Sequence, residues 1–225
     1  SAMKSTQAFG LRQALFMSVP DAAFLAVLQV PLVKLLFEHG IFSETGTAQT
    51  CWALSFFLPG IPAFVCAKVA RAPYHARQNT KTPVKITSAC LMLNIVLNVV
   101  LMQFLRQGGL ALASTLSSYV NLGLLLTFLR RYEGGVRLGD VLPALLKIGI
   151  SAGVATAVVA TVFHFLGPVF AGDTIVLALF RLLIPLVCGV LIYLGLAFSL
   201  GCGEIRELFS SLCRREGDEE DETAG

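Results

Sequence analysis

Six apolar runs, each about as long as a membrane is thick, constrain the fold of this chain more than any other feature. A bilayer core of about 30 Å needs about 20 mostly apolar residues in a helix. Only 14% of the residues are charged, whereas soluble domains carry about 25%. The sequence therefore predicts an all-α integral membrane protein with six transmembrane helices, at residues 14–37, 48–70, 86–105, 110–129, 141–166 and 174–200.

These runs divide the chain into four parts. Residues 1–13 are predicted to be a cytoplasmic N-terminal segment, and its residues 1–3 resemble a cloning scar, which suggests that the chain is a piece of a longer protein. Residues 14–132 hold four helices, and residues 133–200 hold the last two. Residues 201–225 are predicted to form an amphipathic helix followed by an acidic cytoplasmic tail, because apolar residues recur at helical spacing from Ile205 to Leu212. A simple helix cap is the alternative for that amphipathic stretch.

The distribution of lysine and arginine predicts the orientation of the helices. Six spans place both termini on one side of the membrane, and 14 of the 17 basic residues fall in segments on that side. The other side has Lys34, Arg106 and Arg181 only. Because basic residues are enriched in cytoplasmic loops, both termini are predicted to lie in the cytoplasm.

Residues 71–85 contribute most to the excess of basic residues on the cytoplasmic side, and they are predicted to form a cytoplasmic basic loop. The loop includes Arg71, Arg77, Lys81 and Lys85. The net charge of +3 is explained by this topological bias, so it gives no reason to expect a nucleic-acid partner.

No pattern typical of an enzyme is present. The three histidines, His39, His75 and His164, are scattered and have no partner at a catalytic or metal-ligand spacing. The six cysteines form no CxxC pair and mostly lie in apolar runs, so we expect them to be packing residues. The sequence predicts a protein that is not an enzyme, although a membrane-embedded transferase is an alternative that the composition allows.

Pro59, Gly60, Ile61 and Pro62 interrupt the second apolar run. Two prolines within four residues remove two backbone donors, so this helix is predicted to kink or unwind near the middle of the membrane. Broken helices border cavities in transporters, which makes Pro59 and Pro62 candidates for gating. A static packing role is the alternative.

Ionisable residues within the apolar runs are also informative. Asp21 follows Pro20 in the first helix, and a charged side chain there costs about 2.5–3.5 kcal/mol on insertion scales. Asp21 is therefore predicted to line a cavity or to pair with a neighbouring helix. Lys34, Lys147 and Arg181 lie near helix ends, where their side chains can reach the lipid headgroups.

Asn94 and Asn98 lie four residues apart, so their amides share one face of the third helix. The next helix follows after a short connector, is expected to be its antiparallel neighbour and carries several hydroxyls, including Ser114. Asn94, Asn98 and Ser114 could bind a small hard cation such as sodium through oxygen atoms. Alternatively, these residues form hydrogen bonds that join the two helices.

Several segments resemble the C-terminal part of the MurJ (MviN) family of lipid II flippases, which belongs to the multidrug/oligosaccharidyl-lipid/polysaccharide exporter group. The resemblance extends over residues 8–132 and is most specific in Tyr74–Lys85, which reads YHARQNTKTPVK. Further matching segments are Gly10-Leu11-Arg12, Leu36-Phe37-Glu38-His39-Gly40-Ile41-Phe42 and Gly108-Gly109-Leu110-Ala111-Leu112-Ala113.

The resemblance implies that the chain corresponds to helices nine to fourteen of a fourteen-helix fold and works with eight preceding helices. The arginines that contact the diphosphate of the lipid carrier belong to those preceding helices. A sodium site of the family maps onto Asn94, Asn98, the carbonyl of Leu110 and Ser114, with an acidic ligand from a preceding helix. The last two helices are implied to form a groove for the lipid tail.

The function implied by the resemblance is translocation of lipid II, an undecaprenyl-linked peptidoglycan precursor, across the bacterial inner membrane by alternating access. Lipid II and membrane lipids would be the partners. No cofactor is expected, and sodium is a candidate ion. Two alternatives are a flippase for another polyprenyl-linked oligosaccharide and a membrane scaffold without transport activity.

Overall fold

The computed structural model describes residues 2–37, 44–133, 138–169 and 175–200, and almost all of these residues are helical. The seven helices of the described residues are α1 (Ala2–Phe37), α2 (Glu44–Phe57), α3 (Gly60–Ala76), α4 (Lys81–Leu105), α5 (Gln107–Glu133), α6 (Leu138–Val169) and α7 (Ile175–Ser199). Five of them are long and apolar enough to cross a membrane, and the bent pair α2–α3 forms a sixth candidate span. The chain is a multi-pass, all-α membrane protein, as the sequence predicts.

The basic loop predicted at residues 71–85 is largely helical, so that prediction is wrong. Arg71 lies in α3, whereas Lys81 and Lys85 lie in the first turns of α4. Only residues 77–80, including Arg77, connect the two helices. Polar residues extend both helices beyond their apolar stretches, and Pro83 is tolerated because the first turn of a helix needs no internal N–H donor.

The connector between α4 and α5 is shorter than the four residues predicted from hydropathy. It consists of Arg106, whose φ of 51° lies in the left-handed region. A Cβ at Gly109 would collide with the carbonyl of Leu101, so glycine permits the backbone to reverse this tightly. The predicted antiparallel packing of α4 and α5 is confirmed.

At its N-terminal end, α1 extends through the segment predicted to precede the first span. Ala8 and Leu11 are buried in the same apolar cluster as Ala67 and Ala70 of α3. Residues 2–13 therefore continue the first membrane helix. The amphipathic helix and acidic tail predicted for residues 201–225 lie outside the described residues, as do residues 38–43.

α1 is the central element of the packing. It contacts α2 and α3 on one side and α6 and α7 on the other, while α5 packs between the α2–α3 pair and α4. One apolar cluster joins α1, α3, α4, α5 and the start of α6, and a second joins α1 to α6 and α7. α4 is the most exposed candidate span, with only 6% of its most apolar window buried.

A buried hydrogen bond links α7 to α1 at Pro20. In a regular helix the carbonyl of Phe16 would accept from the backbone N–H of residue 20, but proline has no N–H. The hydroxyl of Tyr193 donates to this carbonyl instead, at 2.8 Å, and the rings of Tyr193 and Phe16 lie 5.1 Å apart. The second apolar cluster therefore contains a hydrogen bond from Tyr193 to the one carbonyl, that of Phe16, that Pro20 leaves without a helical donor.

Candidate functional site

The break between α2 and α3 lies where the sequence predicts it. The two helices are bent by 45°, with Leu58 and Pro59 between them. Because Pro62 lacks an N–H, the carbonyl of Leu58 cannot form its regular helical bond, and it accepts from the N–H of Ile61 at 3.1 Å instead. The predicted kink is confirmed, whereas a role for the two prolines in gating remains a prediction.

Two hydroxyl groups of α5 bind backbone carbonyls around this break. Thr115 donates to the carbonyl of Phe56 at 2.7 Å, and Tyr119 donates to the carbonyl of Pro59 at 2.8 Å. In an unbroken helix the carbonyl of Phe56 would instead accept from the N–H four residues later. α5 thus supplies hydrogen bonds that satisfy the broken helix.

Glycines allow α5 to approach the broken span closely. A Cβ at Gly60 would lie 2.6 Å from Oγ1 of Thr115 and 3.0 Å from its Cα. Near the start of α5, a Cβ at Gly108 would lie 2.7 Å from Nε1 of Trp52, in α2. The backbone of Gly60 lies against Thr115 and the backbone of Gly108 lies against Trp52, and neither contact leaves room for a methyl group.

The predicted cation ligands lie together at the interface of α4 and α5. Asn98 donates to Oδ1 of Asn94 at 3.0 Å, and Asn94 donates to Oγ of Ser117 at 3.0 Å. Ser117 donates to the carbonyl of Ser114, whose own hydroxyl donates to the carbonyl of Leu110, both at 3.1 Å. We call this series of hydrogen bonds the amide ladder.

A cavity of about 410 Å³ joins the break to the amide ladder. Gly60 and Phe64 line it from α3, Asn94 lines it from α4, and Ser114 and Ser117 line it from α5. The proline break and the asparagine face appear as separate features in the sequence, but the structure brings them to one cavity.

The polar groups around this cavity are uncharged. The sequence has no aspartate or glutamate between Glu44 and Glu133, so α3, α4 and most of α5 contribute only amide, hydroxyl and carbonyl groups to it. Within the described residues, no group of three or more His, Cys, Asp or Glu side chains could hold a metal ion. The cavity can bind a ligand by hydrogen bonds or through oxygen atoms, and it contains no acid–base pair.

The other ionisable candidates lie away from this cavity. Asp21 is exposed on α1 and does not line it. Arg181 is half-buried in α7, and its guanidinium carbon lies 5.0 Å from the ring centroid of Phe163 in α6. This contact is a cation–π interaction between the last two helices.

Thr115 and Tyr119 are the residues that sequence reasoning missed. Their hydroxyls could have been suspected, because a break in a membrane helix leaves backbone groups that neighbouring helices must satisfy. The sequence does not show which of the hydroxyls on α5 faces the break. That follows only from the packing of α5 against α2 and α3.

Known proteins to which this chain is similar belong to one family. A family model described as "Lipid II flippase MurJ" matches residues 1–185, which extends the similarity beyond residues 8–132. A "Probable lipid II flippase MurJ" of Rickettsia prowazekii is 28% identical over 195 residues, covering 84% of this chain and 38% of that protein. Proteins of the same name from Vibrio cholerae and Bdellovibrio bacteriovorus are 34% and 27% identical, over 53% and 86% of this chain. The chain thus spans less than two fifths of each of these relatives.

Proposed function

Because this chain belongs to the lipid II flippase MurJ family, we propose that it forms the C-terminal six-span part of a lipid II flippase. The complete protein would move the undecaprenyl-linked precursor from the inner to the outer leaflet by alternating access, without making or breaking a covalent bond. Helices that precede this chain in the full-length protein would complete the transport path. The match of the family model over residues 1–185 is the observation that carries the proposal.

The broken span supports a transport function. The α2–α3 break borders a cavity that amide and hydroxyl groups of α4 and α5 also line, and carbonyls at the break are bound by Thr115 and Tyr119 of α5. Irregular backbone at membrane depth is tolerated where it lines such a cavity, and broken helices provide points of movement in transporters. Rocking of this part of the protein would change the bend at Pro59 while α5 keeps its contacts with α3.

A complementation assay tests the proposed function. Bacteria depleted of their own lipid II flippase would be transformed with the full-length gene that encodes this chain. Restored growth and cell shape are expected. Lysis of cells in which the protein is present in the membrane at normal levels would contradict the proposal. A version with residues 14–200 deleted provides the negative control.

We also propose that the protein lies in the bacterial inner membrane with the α3–α4 connector in the cytoplasm, since 14 of the 17 basic residues fall on that side. Gln78 of this connector and Gln107 at the start of α5 are both exposed and lie at opposite ends of the bundle. A cysteine at Gln107 should react with an impermeant maleimide in intact spheroplasts, whereas one at Gln78 should react only after permeabilisation. The reverse pattern would refute this orientation.

The amide ladder supports a sodium site composed of Asn94, Asn98, the carbonyl of Leu110 and Ser114. Oδ1 of Asn98 is buried and has no hydrogen-bond partner among the described residues. The side-chain oxygen of Asn94 accepts one hydrogen bond and keeps a second lone pair. The Leu110 carbonyl accepts from the Ser114 hydroxyl and from the helical N–H of Ser114, so sodium at this carbonyl would replace the bond from the hydroxyl. Sodium would provide the partner that the Asn98 oxygen lacks, and the oxygen ligands suit a hard cation.

The melting temperature of the full-length protein in sodium, potassium and choline chloride tests this site. Sodium should stabilise the wild type selectively, and Asn98→Ala should remove that effect. Asn121→Ala is the matched control, because Oδ1 of Asn121 is also buried without a hydrogen-bond partner among the described residues, but Asn121 lies outside the ladder. Equal melting temperatures in the three salts would mean that the ladder only joins α4 to α5.

A further inference from the structure

A second cavity lies between the last turns of α3 and the first turns of α4. Its volume is about 280 Å³, and it is lined by Arg71 and His75 from α3 and by Pro83, Val84, Thr87 and Ser88 from α4. We call it the α3–α4 groove. It shares no lining residue with the cavity at the break, and neither the amide ladder nor the break uses its residues.

Arg71 is the residue that gives this groove a chemical preference. Its side chain is half-buried, and Nε is shielded from solvent without a hydrogen-bond partner among the described residues. Arg71 and His75 are four residues apart, so both side chains extend from one face of α3. A buried guanidinium nitrogen without an acceptor is costly, so an acceptor entering the groove would be favoured.

The surroundings contain cations but no carboxylate from the same helices. Lys68, Arg77, Lys81 and Lys85 lie within α3, α4 and their connector, and the sequence has no acidic residue from 45 to 132. α3, α4 and most of α5 therefore cannot supply a carboxylate for Arg71. The positive end of the α4 dipole adds to the same potential.

The backbone at the start of α4 is not the binding group. The N–H of Thr82 donates to Oδ1 of Asn79 at 3.3 Å, and the N–H of Val84 donates to the carbonyl of Thr80 at 3.3 Å. Pro83 has no N–H. An anion in the groove would therefore be held by side chains: the guanidinium of Arg71, the imidazole of His75 and the hydroxyls of Thr87 and Ser88.

We propose that the α3–α4 groove binds a phosphate group through Arg71, with hydrogen bonds from Thr87, Ser88 and His75. Guanidinium groups pair with phosphate through charge-assisted and often bidentate hydrogen bonds, and hydroxyls donate to the remaining phosphate oxygens. The phosphate can belong to a phospholipid headgroup or to a diphosphate carried on another lipid. This binding is a property of the groove and does not depend on the proposed transport of lipid II.

Two probes distinguish these sources on the purified full-length protein in neutral detergent. Inorganic pyrophosphate represents the diphosphate and is measured by isothermal titration calorimetry at constant ionic strength. Phosphatidylglycerol, compared with phosphatidylcholine in the same micelles, represents the anionic headgroup and is measured by native mass spectrometry. Tighter binding of pyrophosphate than of phosphatidylglycerol assigns the groove to a diphosphate. Tighter binding of phosphatidylglycerol, with pyrophosphate competing for the same site, assigns the groove to a phospholipid headgroup.

Three variants test the residues. Arg71→Gln should weaken binding of the preferred probe about tenfold or more. Lys85→Gln, which removes the same charge from an exposed residue outside the groove, should change it less than about twofold. A double variant, Thr87→Val with Ser88→Ala, keeps the charge and should weaken binding by about threefold or more, which covers the case in which Arg71→Gln does not fold.

Some outcomes would overturn the proposal. They are failure of both probes to bind the wild type, an equal loss of affinity in Lys85→Gln and Arg71→Gln, and unchanged affinity in the double variant. Because binding is measured without transport, a negative binding result would not contradict the proposed flippase function. A negative complementation result would likewise not contradict phosphate binding in the groove.

Discussion

Replacing Tyr193 with phenylalanine should destabilise the protein because it leaves the carbonyl of Phe16 without a donor. Phe16 is 2% exposed and Tyr193 is 4% exposed, so water cannot replace the lost hydroxyl. An unsatisfied buried carbonyl costs about 1–3 kcal/mol, whereas hydrogen bonds between membrane helices contribute about 0.6 kcal/mol on average and up to about 1.7. We expect a loss of about 1–2 kcal/mol, since Pro20 removes the alternative donor within α1.

A double-mutant cycle with Pro20→Ala tests this reasoning. Alanine restores an N–H that can donate to the Phe16 carbonyl, so Tyr193→Phe should cost less than about half as much in the Pro20→Ala background. The free energy of unfolding would be measured by titration of detergent micelles with SDS, followed by the loss of helical circular dichroism. The ring of residue 193 is kept in both backgrounds, which separates the hydroxyl from packing.

Tyr74→Phe is the matched control. The hydroxyl of Tyr74 is also buried and donates to the carbonyl of Leu125 at 2.8 Å, but that carbonyl keeps its regular helical donor, the N–H of Leu129. Tyr74→Phe should therefore cost less than Tyr193→Phe. Equal losses in the two single variants, or an unchanged cost of Tyr193→Phe in the Pro20→Ala background, would refute the role of the proline.

Three further substitutions test the packing of the helices, and each is measured by the same unfolding titration. Gly60→Ala should cost about 1–3 kcal/mol because its methyl group would lie 2.6 Å from Oγ1 of Thr115, whereas Gly123→Ala has open space and should be neutral or stabilising. Thr115→Val should cost about 1–2 kcal/mol by removing a donor from the break, but Thr127→Val, at an exposed hydroxyl bonded within its own helix, should have little effect. Lys147→Met should cost less than about 1 kcal/mol, because Lys147 donates to the carbonyl of Leu200, directly after α7, at an exposed site; hydrogen exchange should increase only in the last turn of α7.

Hydropathy is enough to predict the spans of this chain, because a helix in lipid must satisfy its own backbone hydrogen bonds. The break could be predicted for the same reason, since Pro59 and Pro62 remove donors wherever they lie in a helix. The extent of the helices at their polar ends could not be predicted from hydropathy. Residues 71–85 contain five basic residues or histidine and two prolines, a composition that also suits a loop, yet only residues 77–80 leave the helical conformation.

Contacts between residues that are far apart in the chain could not be predicted from the sequence. Tyr193 contacts Phe16, which lies 177 residues earlier in the chain, and Asn94 of α4 lines the same cavity as the break in α2–α3. Both contacts depend on how helices rotate about their axes, which apolar faces determine only loosely when lipid and protein are equally apolar. Pro20 shows that the carbonyl of Phe16 needs a donor, but only the packing of α7 against α1 shows that Tyr193 supplies it.

The most direct test of the proposed function is the amount of lipid II that reaches the outer leaflet. Cells depleted of their own flippase would express the full-length gene or a variant in which a disulfide fixes the α2–α3 bend, and outer-leaflet lipid II would be measured by its susceptibility to an externally added enzyme that cleaves the lipid-linked headgroup. We expect cleavage with the wild type, little cleavage with the oxidised variant and recovery of cleavage after reduction. Absence of cleavage with a well-expressed wild-type protein would contradict it.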